Sequence, residues 1–389
     1  MNKILTLNNI SVAGLEKFPR DSYEIASEIQ HPEAILLRSF KMHDMDIPES
    51  LKAVGRAGTG VNNIPVDKMS DKGIPVFNAP GANANAVKEL VLAGMLMSAR
   101  HIGPAWEFAR NQEGTDEEIS KAVEAGKKNF GGFELPGKTL GVVGLGAIGR
   151  AVAKVAEDLG MNVIGFDPGL TVEGAWMISS SVEQAASFDA MLPHVDFISF
   201  HVPLIDVTKN MLNADRIKLM KEGATVLNFA RGGIIDDEAM AEALKSGHLY
   251  GYINDFANNT LKDVPNVVTL PHLGASTQDA EDNCAIIVSE NVRDYLENGN
   301  IKLSVNFPEV KMPKAQGCHR ITIANTNVPN MLGQISSILA DAGLNISDMV
   351  NKSKGDLAYT IVDVNNAVSE QVVDTLSAIE GVLAVRVLS

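Results

Sequence analysis

Short apolar runs alternate with amphipathic stretches of helical length along most of this 389-residue chain. A run of about four to eight apolar residues predicts a buried strand, whereas apolar residues recurring every three or four positions predict a helix. The first third of the chain predicts strands at 2–7, 34–38, 52–57 and 74–77, a helical stretch over 84–109 broken near Gly103 and Pro104, and a polar surface helix over 111–128. Strands that alternate with helices are typical of a parallel α/β sheet.

The same alternation continues through the middle of the chain. Predicted strands are 139–143, 162–166, 195–200, 224–229, 251–256 and 266–270, and predicted helices are 147–159, 215–219, 237–246 and 276–298. Strands joined by helical crossovers build a doubly wound parallel sheet. We expect the last of these helices to run back to the first domain, which would then be built from both ends of the chain.

A third module follows an interruption at 306–318, where Pro308, Pro313 and Gly317 break the pattern. Its predicted strands are 319–324, 344–351, 357–364 and 382–388, and its predicted helices are 328–342 and 368–379. The order βαββαβ is that of a ferredoxin-like fold. The predicted fold class is therefore α/β, with two doubly wound parallel sheets and a C-terminal ferredoxin-like module.

Composition and charge narrow the classes of partner and compartment. A net charge of −15 argues against nucleic acid or an anionic membrane surface as the main partner. Cys284 and Cys318 have no metal-ligand spacing, so we predict no metal site and expect both thiols to be reduced. The N-terminus lacks the apolar segment of a signal peptide, and no window reaches the roughly 20 apolar residues of a membrane span. A cytoplasmic protein is expected.

The segment GVVGLGAIGR is the most specific motif in the chain. Gly144, Gly146 and Gly149 fit G-x-G-x-x-G between a predicted strand and a predicted helix. The first glycine allows a tight turn, the second lets a pyrophosphate approach the backbone, and the third lets helix and strand pack closely. Ala147 and Ile148 begin a helix whose free N–H groups favour phosphate. The motif predicts a dinucleotide site.

The residues after the next strands refine the identity of that dinucleotide. Asp167 lies 23 residues after Gly144, at the end of a predicted strand, where its carboxylate can accept both ribose hydroxyls. Because its charge would repel a 2′-phosphate, the predicted cofactor is NAD rather than NADP. His201, Val202 and Pro203 follow another predicted strand and could border the adenine.

Three polar residues stand at the ends of later predicted strands, where open α/β sheets bind their ligands. Arg231 can grip a carboxylate with two parallel hydrogen bonds, although a surface salt bridge is the alternative. His272 is placed for proton transfer near neutral pH, with Ser276 available to cap the next helix. A lone histidine is more often structural. Asp255 could bond the nicotinamide carboxamide.

Taken together, these motifs resemble the D-2-hydroxyacid dehydrogenase family over essentially residues 1–310. The resemblance implies a flavodoxin-like substrate domain formed by 1–98 and 283–306, and a Rossmann NAD domain over 99–282. It also implies hydride transfer to NAD, with Arg231 binding the substrate carboxylate and His272 acting as acid and base. The residues then expected at the cofactor are Ala147, Ile148, Asp167, Ala230, Asp255 and Gly274.

The same resemblance implies a set of substrate contacts, which are Arg38, Ser39, Arg56, Gly60, Asn83 and Lys127. Arg38, Arg56 and Lys127 would form a positive pocket for the phosphate of a substrate such as 3-phosphoglycerate. Ordinary solvated charge is the alternative for Arg56 and Lys127. Arg38 directly follows an apolar run, which favours a binding role at the end of a strand.

One position departs from the pattern of this family. Members usually carry a glutamate five residues after the aspartate at position 255, where this chain has Thr260. That glutamate orients the histidine and stabilises its protonated form, whereas a threonine hydroxyl supplies no charge. We hypothesise that His272 acts without a carboxylate partner or borrows one such as Asp263.

Residues 318–389 resemble an ACT domain, a small regulatory fold that binds amino acids. Asn327 and Asn345 match ligand positions, while Asn330 stands where a glycine is often found. The resemblance implies serine as a candidate ligand, and a pure dimerisation module is the alternative. It also implies a homodimer or a homotetramer.

Three functions are consistent with these residues. The leading expectation is oxidation of 3-phosphoglycerate at the start of serine synthesis, which Arg38, Arg56 and the ACT-like tail favour. A second is another reaction of the same family, such as reduction of hydroxypyruvate or glyoxylate. A third is an NAD-sensing binding protein, like the corepressors that share this fold.

Overall fold

A parallel sheet opens the chain, in a computed structural model that describes residues 1–315 and 317–388. Its elements are β1 (Asn2–Leu7), α1 (Val12–Leu15), β2 (Tyr23–Ala26), β3 (Ala34–Leu37), β4 (Ala53–Arg56), α2 (Val66–Asp71) and β5 (Val76–Phe77). The strand order is β2-β1-β3-β4-β5, and every pairing is parallel. All four positions of β3 are buried, as expected for a parallel strand covered on both faces.

Residues 83–280 build a second parallel sheet. Its helices are α3 (Ala84–Ala99), α4 (Ile102–Arg110), α5 (Asp116–Gly126), α6 (Ala147–Asp158), α7 (Val172–Ala175), α8 (Phe188–Met191), α9 (Ala214–Leu219) and α10 (Asp237–Lys245), with 3₁₀ turns at Lys127–Phe130 and Leu192–His194. Its strands are β6 (Thr139–Val143), β7 (Asn162–Phe166), β8 (Glu183–Gln184), β9 (Phe197–Phe200), β10 (Ala224–Asn228), β11 (Leu249–Asn254) and β12 (Val267–Thr269).

The strand order of this second sheet creates its binding crevice. The order is β12-β11-β10-β9-β6-β7-β8, so the chain winds outward in both directions from β6. Loops at the carboxyl ends of β6 and β9 therefore leave the sheet on opposite faces, which opens a crevice between them. The glycine-rich motif follows β6 and His201 follows β9, so both lie at this point.

A long helix, α11 (Gln278–Asn298), precedes the C-terminal module. That module consists of β13 (His319–Thr326), α12 (Met331–Asp341), β14 (Ile346–Lys354), β15 (Leu357–Val364), α13 (Glu370–Ser377) and β16 (Val382–Leu388). Its antiparallel sheet has the order β14-β15-β13-β16, with β13 paired to both β15 and β16. The predicted fold class is confirmed: an α/β protein with two parallel sheets and an antiparallel βαββαβ module. Residue 389 and residue 316 of the predicted interruption lie outside the described residues.

The chain divides into two compact units at positions that differ from the predicted boundaries at 98/99 and 282/283. One unit comprises residues 83–280, and the other joins 1–82 to the described residues from 281 onward. Helix α3 belongs to the first of these units because Val87, Val91 and Met95 pack in one core with Leu140 and Val142. A helix with so much buried apolar surface follows its packing partners rather than its neighbours in sequence.

The C-terminal module and the N-terminal sheet share a core within their unit. Tyr359 and Ile361 of β15 belong to the same buried cluster as Phe77, Tyr295 and Phe307. The module that the sequence pattern separates at 318 therefore packs as part of a larger body. Sequence periodicity cannot reveal this arrangement, because an apolar run predicts that a strand is buried but does not specify which element packs against it.

The predicted break in the first long helix lies slightly earlier than Gly103 and Pro104. Helix α3 ends at Ala99, and His101 adopts a left-handed conformation with φ +48° before α4 begins at Ile102. Pro104 is thus inside the first turn of α4, where a missing N–H costs no helical hydrogen bond.

Candidate active site

The glycine-rich turn after β6 gives each of its three glycines a different task. Gly144 has φ +89°, and a Cβ there would lie 2.7 Å from the carbonyl oxygen of His201. A Cβ on Gly149 would lie 1.9 Å from the carbonyl oxygen of Gly144, so helix and turn touch directly. At Gly146, by contrast, no atom of the described chain beyond its two neighbours in sequence lies within 4 Å of an added Cβ. The open space is therefore above the middle glycine, where a pyrophosphate would approach.

Helix α6 presents its amino end to that space. Its N-cap is Gly146, which has no side chain to bond the first N–H groups of the helix. The backbone of Ala147 and Ile148 therefore contributes donors, and the helix dipole adds partial positive charge. These features fit the pyrophosphate of NAD.

Asp167 closes the turn from the neighbouring strand. Its Oδ2 accepts the amide of Leu145 at 2.8 Å, and its Oδ1 accepts the amide of Gly169 at 2.9 Å. Each oxygen keeps a further lone pair for a ribose hydroxyl. The carboxylate thus fits NAD and disfavours a cofactor with a 2′-phosphate.

The loop after β9 borders the same crevice. His201 donates its amide to the carbonyl of Val143 at 2.7 Å, and its Nε2 lies 3.0 Å from the Ser199 hydroxyl. Removal from water lowers the pKa of His201 to about 3, so its imidazole is neutral at physiological pH. Val202 and Pro203 follow directly in the predicted adenine loop.

The loop of Arg231 is held by a buried asparagine that the sequence did not single out. Asn228, at the end of β10, accepts the Ala230 amide at 3.1 Å and donates to the Arg231 carbonyl at 2.9 Å. The Arg231 guanidinium is exposed, and its Nη1 donates to the Ala230 carbonyl at 2.7 Å. It forms no ion pair within the described part of its unit. This cation is consequently open to a substrate carboxylate.

The carboxylate of Asp255 fastens the loop of the predicted acid–base residue. Asp255 is 2% exposed, and its two oxygens accept the amides of Leu273 at 2.8 Å and Gly274 at 2.7 Å. The neighbouring Asn254 accepts the Phe256 amide at 2.9 Å in a similar strand-end turn. The nicotinamide contact of Asp255 stays a prediction, whereas its hydrogen bonds within the structure hold this loop in place.

His272 itself is exposed and has a left-handed backbone with φ +56°. Its ring meets the edge of Phe256 at 5.3 Å between centroids, with an angle of 65° between the planes. Ser276, expected to cap the next helix, instead donates to the His272 carbonyl at 3.4 Å. Thr277 is the residue whose hydroxyl accepts a helix amide, from Ala280 at 3.1 Å.

No carboxylate supports the His272 ring within residues 83–280. Ion pairs with a distance of 4 Å or less are absent there for His272, so Asp263 does not take the place of the usual glutamate. Thr260 and Asp263 both lie exposed in the segment between β11 and β12. Of the two hypotheses for His272, this geometry favours action without a carboxylate partner.

The predicted phosphate residues of the N-terminal sheet lie together at its carboxyl edge. Arg38 follows β3 and Arg56 ends β4, and Arg56 Nε donates to the Arg38 carbonyl at 3.1 Å. The amide of Ser39 donates to Asn8 Oδ1 at 3.2 Å, so this loop is tied to the end of β1. Gly60 lies in the loop after β4.

Asn83 and Lys127 belong to the other unit. Asn83 is the residue before α3, with a φ of −97°. Lys127 is exposed in the 3₁₀ turn after α5 and forms an ion pair with Glu124. This pairing is the solvated-charge alternative for Lys127, and its role with substrate stays a prediction.

The asparagines of the C-terminal module sit at its turns. Asn327 Nδ2 donates to the Gly355 carbonyl at 3.2 Å, and the Asn345 amide donates to Asn365 Oδ1 at 3.0 Å. Asn330 has φ +65°, a conformation that glycine adopts most easily and asparagine tolerates. The serine site proposed for these residues stays a prediction.

Several known proteins resemble this chain in sequence. A family model described as "D-isomer specific 2-hydroxyacid dehydrogenase, NAD binding domain" matches residues 92–274. The chain is 33% identical to a D-3-phosphoglycerate dehydrogenase of Haemophilus influenzae, over 95% of this chain and 89% of that protein. It is 32% identical to the enzyme of the same name from Escherichia coli K12, over 95% of this chain and 90% of that protein.

A solved structure is similar in fold. It is the NAD⁺-bound 3-phosphoglycerate dehydrogenase of Entamoeba histolytica, with a TM-score of 0.58 and 24% identity. The match covers 78% of this chain and 98% of that one.

Proposed function

Because this chain belongs to the D-isomer-specific 2-hydroxyacid dehydrogenase family, and the model of that family's NAD-binding domain matches residues 92–274, we propose that it oxidises 3-phospho-D-glycerate to 3-phosphohydroxypyruvate. In this proposal the reaction is the first step of serine synthesis. The observation that carries it is the pair Arg38 and Arg56 at one sheet edge of a chain with a net charge of −15. Two relatives that share nearly its full length are also named for this substrate.

The residues of the second unit divide the chemistry between them. The exposed Arg231 guanidinium binds the substrate carboxylate through parallel hydrogen bonds. A neutral His272 accepts the proton of the C2 hydroxyl as the C2–H bond breaks. Bound NAD supplies the acceptor for the hydride that leaves C2. In the reverse direction, protonated His272 returns the proton to the carbonyl oxygen.

Formation of NADH from 3-phosphoglycerate, compared with D-glycerate, tests the substrate. We expect kcat/KM to be about a hundredfold higher for the phosphorylated acid, since hydrogen bonds to a charged group such as phosphate add up to about 3 kcal/mol. His272→Asn should lower kcat by about 10²–10⁴-fold and leave NAD binding intact. His194→Asn, an exposed histidine of the same unit, is the matched control. Equal kcat/KM values for the two acids would refute the proposal.

Two other functions remain as outcomes of the same assay. Turnover of unphosphorylated hydroxypyruvate or glyoxylate in preference to the phosphorylated substrate would indicate another reductase of this family. Tight NAD binding with no turnover would indicate an NAD sensor, a function that the missing carboxylate beside His272 favours.

We also propose that the C-terminal module binds serine and thereby inhibits the enzyme, and that the chain forms a homodimer or a homotetramer in the cytoplasm. Both cysteines are free thiols, which suits a reducing compartment. Among the described residues, no helix has the length and apolar character to cross a membrane. Activity that does not respond to serine would remove the regulatory part of this proposal.

A further inference from the structure

Arg38 forms an ion pair with an acidic residue of its own unit. Its Nη1 lies 2.6 Å from Oε1 of Glu281, in the first turn of α11. The two side chains are 37% and 36% exposed, so water and dissolved anions reach both. No other ion pair of Arg38 occurs in the described part of the chain.

A second arginine of the same unit forms a fully buried ion pair, with which the Arg38 pair can be compared. Arg320 meets Asp363 through two parallel hydrogen bonds of 2.7 and 2.8 Å, and both side chains are fully buried. Arg38 instead uses a single nitrogen and leaves its other donors unpaired with carboxylate. A half-exposed ion pair of this kind contributes little to stability and exchanges readily.

The backbone beneath Arg38 is fixed, so exchange concerns only the side chain. The Arg38 carbonyl accepts Arg56 Nε and Asn63 Nδ2, each at 3.1 Å. Asn63 is buried and also donates to the Phe40 carbonyl at 2.7 Å. The loop therefore presents the guanidinium from a rigid base.

The charged side chains around the Arg38–Glu281 ion pair form one cluster. Cys284 lies one turn after Glu281 on α11, and burial raises the pKa of its thiol. Arg38 and Arg56 act on the Cys284 pKa in the opposite direction, and Glu281 raises it. The 2.6 Å ion pair of Arg38 with Glu281 and the hydrogen bond from Arg56 Nε to the Arg38 carbonyl join the three charged residues in one cluster.

We propose that Glu281 is a specificity-determining residue, an internal anion that the phosphate of the substrate replaces at Arg38. This inference rests on the proposed function. A phosphate carries about −1.5 to −2 charges at pH 7, against −1 for the carboxylate, and it offers three acceptor oxygens. It therefore competes for the guanidinium, whereas a substrate without a second anionic group leaves the ion pair in place.

Removal of the Glu281 charge tests the idea. Glu281→Gln keeps the size of the side chain and abolishes both the competition and the repulsion of a bound phosphate. We expect the KM for 3-phosphoglycerate to fall by about three- to tenfold, since like charges a few ångströms apart repel appreciably even in a high dielectric. The kcat/KM for D-glycerate should stay within about twofold of the wild-type value, because that acid has no group for Arg38.

Glu290→Gln is the matched control. Glu290 lies on the same helix and pairs with Lys17 at 2.8 Å, also at the surface. An equal fall of KM in this variant would assign the effect to net charge and overturn the proposal. A fall of KM on Glu281→Gln substitution in an Arg38→Met background would overturn it as well, because the effect would then not depend on the arginine.

A KM that is unchanged or raised in Glu281→Gln would also overturn the proposal, and a raised KM would show that Glu281 orients Arg38 for substrate. Calorimetric binding of inorganic phosphate separates this inference from the proposed function. If the wild-type enzyme does not oxidise 3-phosphoglycerate, the proposed function fails. The variant is still expected to bind phosphate at least about threefold more tightly than the wild type, and equal affinities would refute the role of Glu281.

Discussion

Asp255 accepts the amide hydrogen of Gly274 at 2.7 Å, so this buried residue directly after β11 holds the loop two residues after His272. The second oxygen of Asp255 accepts the amide of Leu273 at 2.8 Å. His272 has a left-handed backbone with φ +56°, which non-glycine residues adopt only when their surroundings enforce it. The two hydrogen bonds of Asp255 hold the two residues that directly follow His272.

Asp255→Asn is expected to loosen this loop. The amide side chain offers one acceptor in place of two, and its NH₂ group would face a backbone N–H. We expect the free energy of unfolding to fall by about 1–3 kcal/mol, and kcat/KM to fall by about a hundredfold as His272 loses its position. Urea denaturation and steady-state kinetics measure the two effects. Unchanged kinetics in a stably folded variant would mean that the loop is held by other contacts.

Two glycine substitutions in one turn should have opposite consequences. Gly149→Ala places a Cβ 1.9 Å from a carbonyl oxygen, so it should lower the free energy of unfolding by about 1–3 kcal/mol or more. Gly146→Ala meets no described atom within 4 Å beyond its two neighbours in sequence and should leave stability within about 0.5 kcal/mol.

The same Gly146→Ala change projects a methyl group into the predicted pyrophosphate space. We expect the Kd for NAD to rise by about tenfold or more, a loss of about 1.4 kcal/mol. Fluorescence titration with NADH provides the measurement, and each variant serves as the control for the other. Normal NADH affinity in Gly146→Ala would place the pyrophosphate elsewhere.

The pH dependence of activity should not depend on Asp263. No carboxylate oxygen lies within 4 Å of the His272 ring nitrogens in residues 83–280. Asp263→Asn should therefore leave the pH profile of kcat/KM unchanged. Thr260→Glu should instead move the acid limb of the profile to higher pH, because a nearby carboxylate favours the protonated imidazole. A shifted profile in Asp263→Asn would restore Asp263 as the partner of the histidine.

The free energy of unfolding at acid pH should depend on the burial of the His201 ring. Its pKa in the folded protein is about 3, compared with an ordinary value of 6.5, because the ring is removed from water. As the pH falls below about 6.5, the unfolded chain therefore binds a proton before the folded protein does. This group contributes a loss of unfolding free energy of up to about 1.4 kcal/mol per pH unit between pH 6 and pH 3.

His201→Gln removes that contribution. The difference in unfolding free energy between wild type and variant should shrink as the pH falls from 7 to 4, and denaturant titrations across this range measure it. A difference that is constant with pH would show that the His201 ring is solvated.

The buried Arg320 should matter more for stability than any surface cation. Besides Asp363, it donates to the carbonyls of Asn298, Met312 and Pro313 at 2.8–3.0 Å. Arg320→Met leaves the Asp363 carboxylate buried without a cation and should lower the free energy of unfolding by about 3–5 kcal/mol.

Two comparisons check this interpretation. Lys17→Met breaks an exposed pair and should cost less than about 1 kcal/mol. Arg320→Met combined with Asp363→Leu should regain much of the loss, because no buried charge is then unpaired. A double variant as unstable as the single one would show that the carbonyl contacts dominate.

Local patterns were enough to predict most of the fold. The unit from β6 through the three glycines to Asp167 spans fewer than 30 residues, and periodicity and turn chemistry act within such a span. The short elements β2, α7, β8 and α8 were among those that escaped prediction. Two to four residues carry too little periodic signal to separate a strand or helical turn from a loop.

The candidate site was only partly visible in the sequence. Strand-end positions pointed to Arg231, His272 and Asp255, and the resemblance to a family assigned their roles. The asparagines that hold these loops, Asn228 and Asn254, also end their strands. An asparagine directly before a loop is a weak signal that could have indicated a side chain bonded to the following backbone.

The amino-acid sequence by itself determined the cofactor, the order of the three sheets and the identity of the polar residues at the strand ends, because neighbouring residues encode these features. Only the tertiary structure decided the unit boundaries and the lack of a carboxylate beside the His272 ring within residues 83–280. It also decided the pairing of Arg38 with Glu281, which lies 243 positions later in the chain. Such pairings depend on how buried helices and sheets pack, and no local period along the chain records which distant charges that packing brings together.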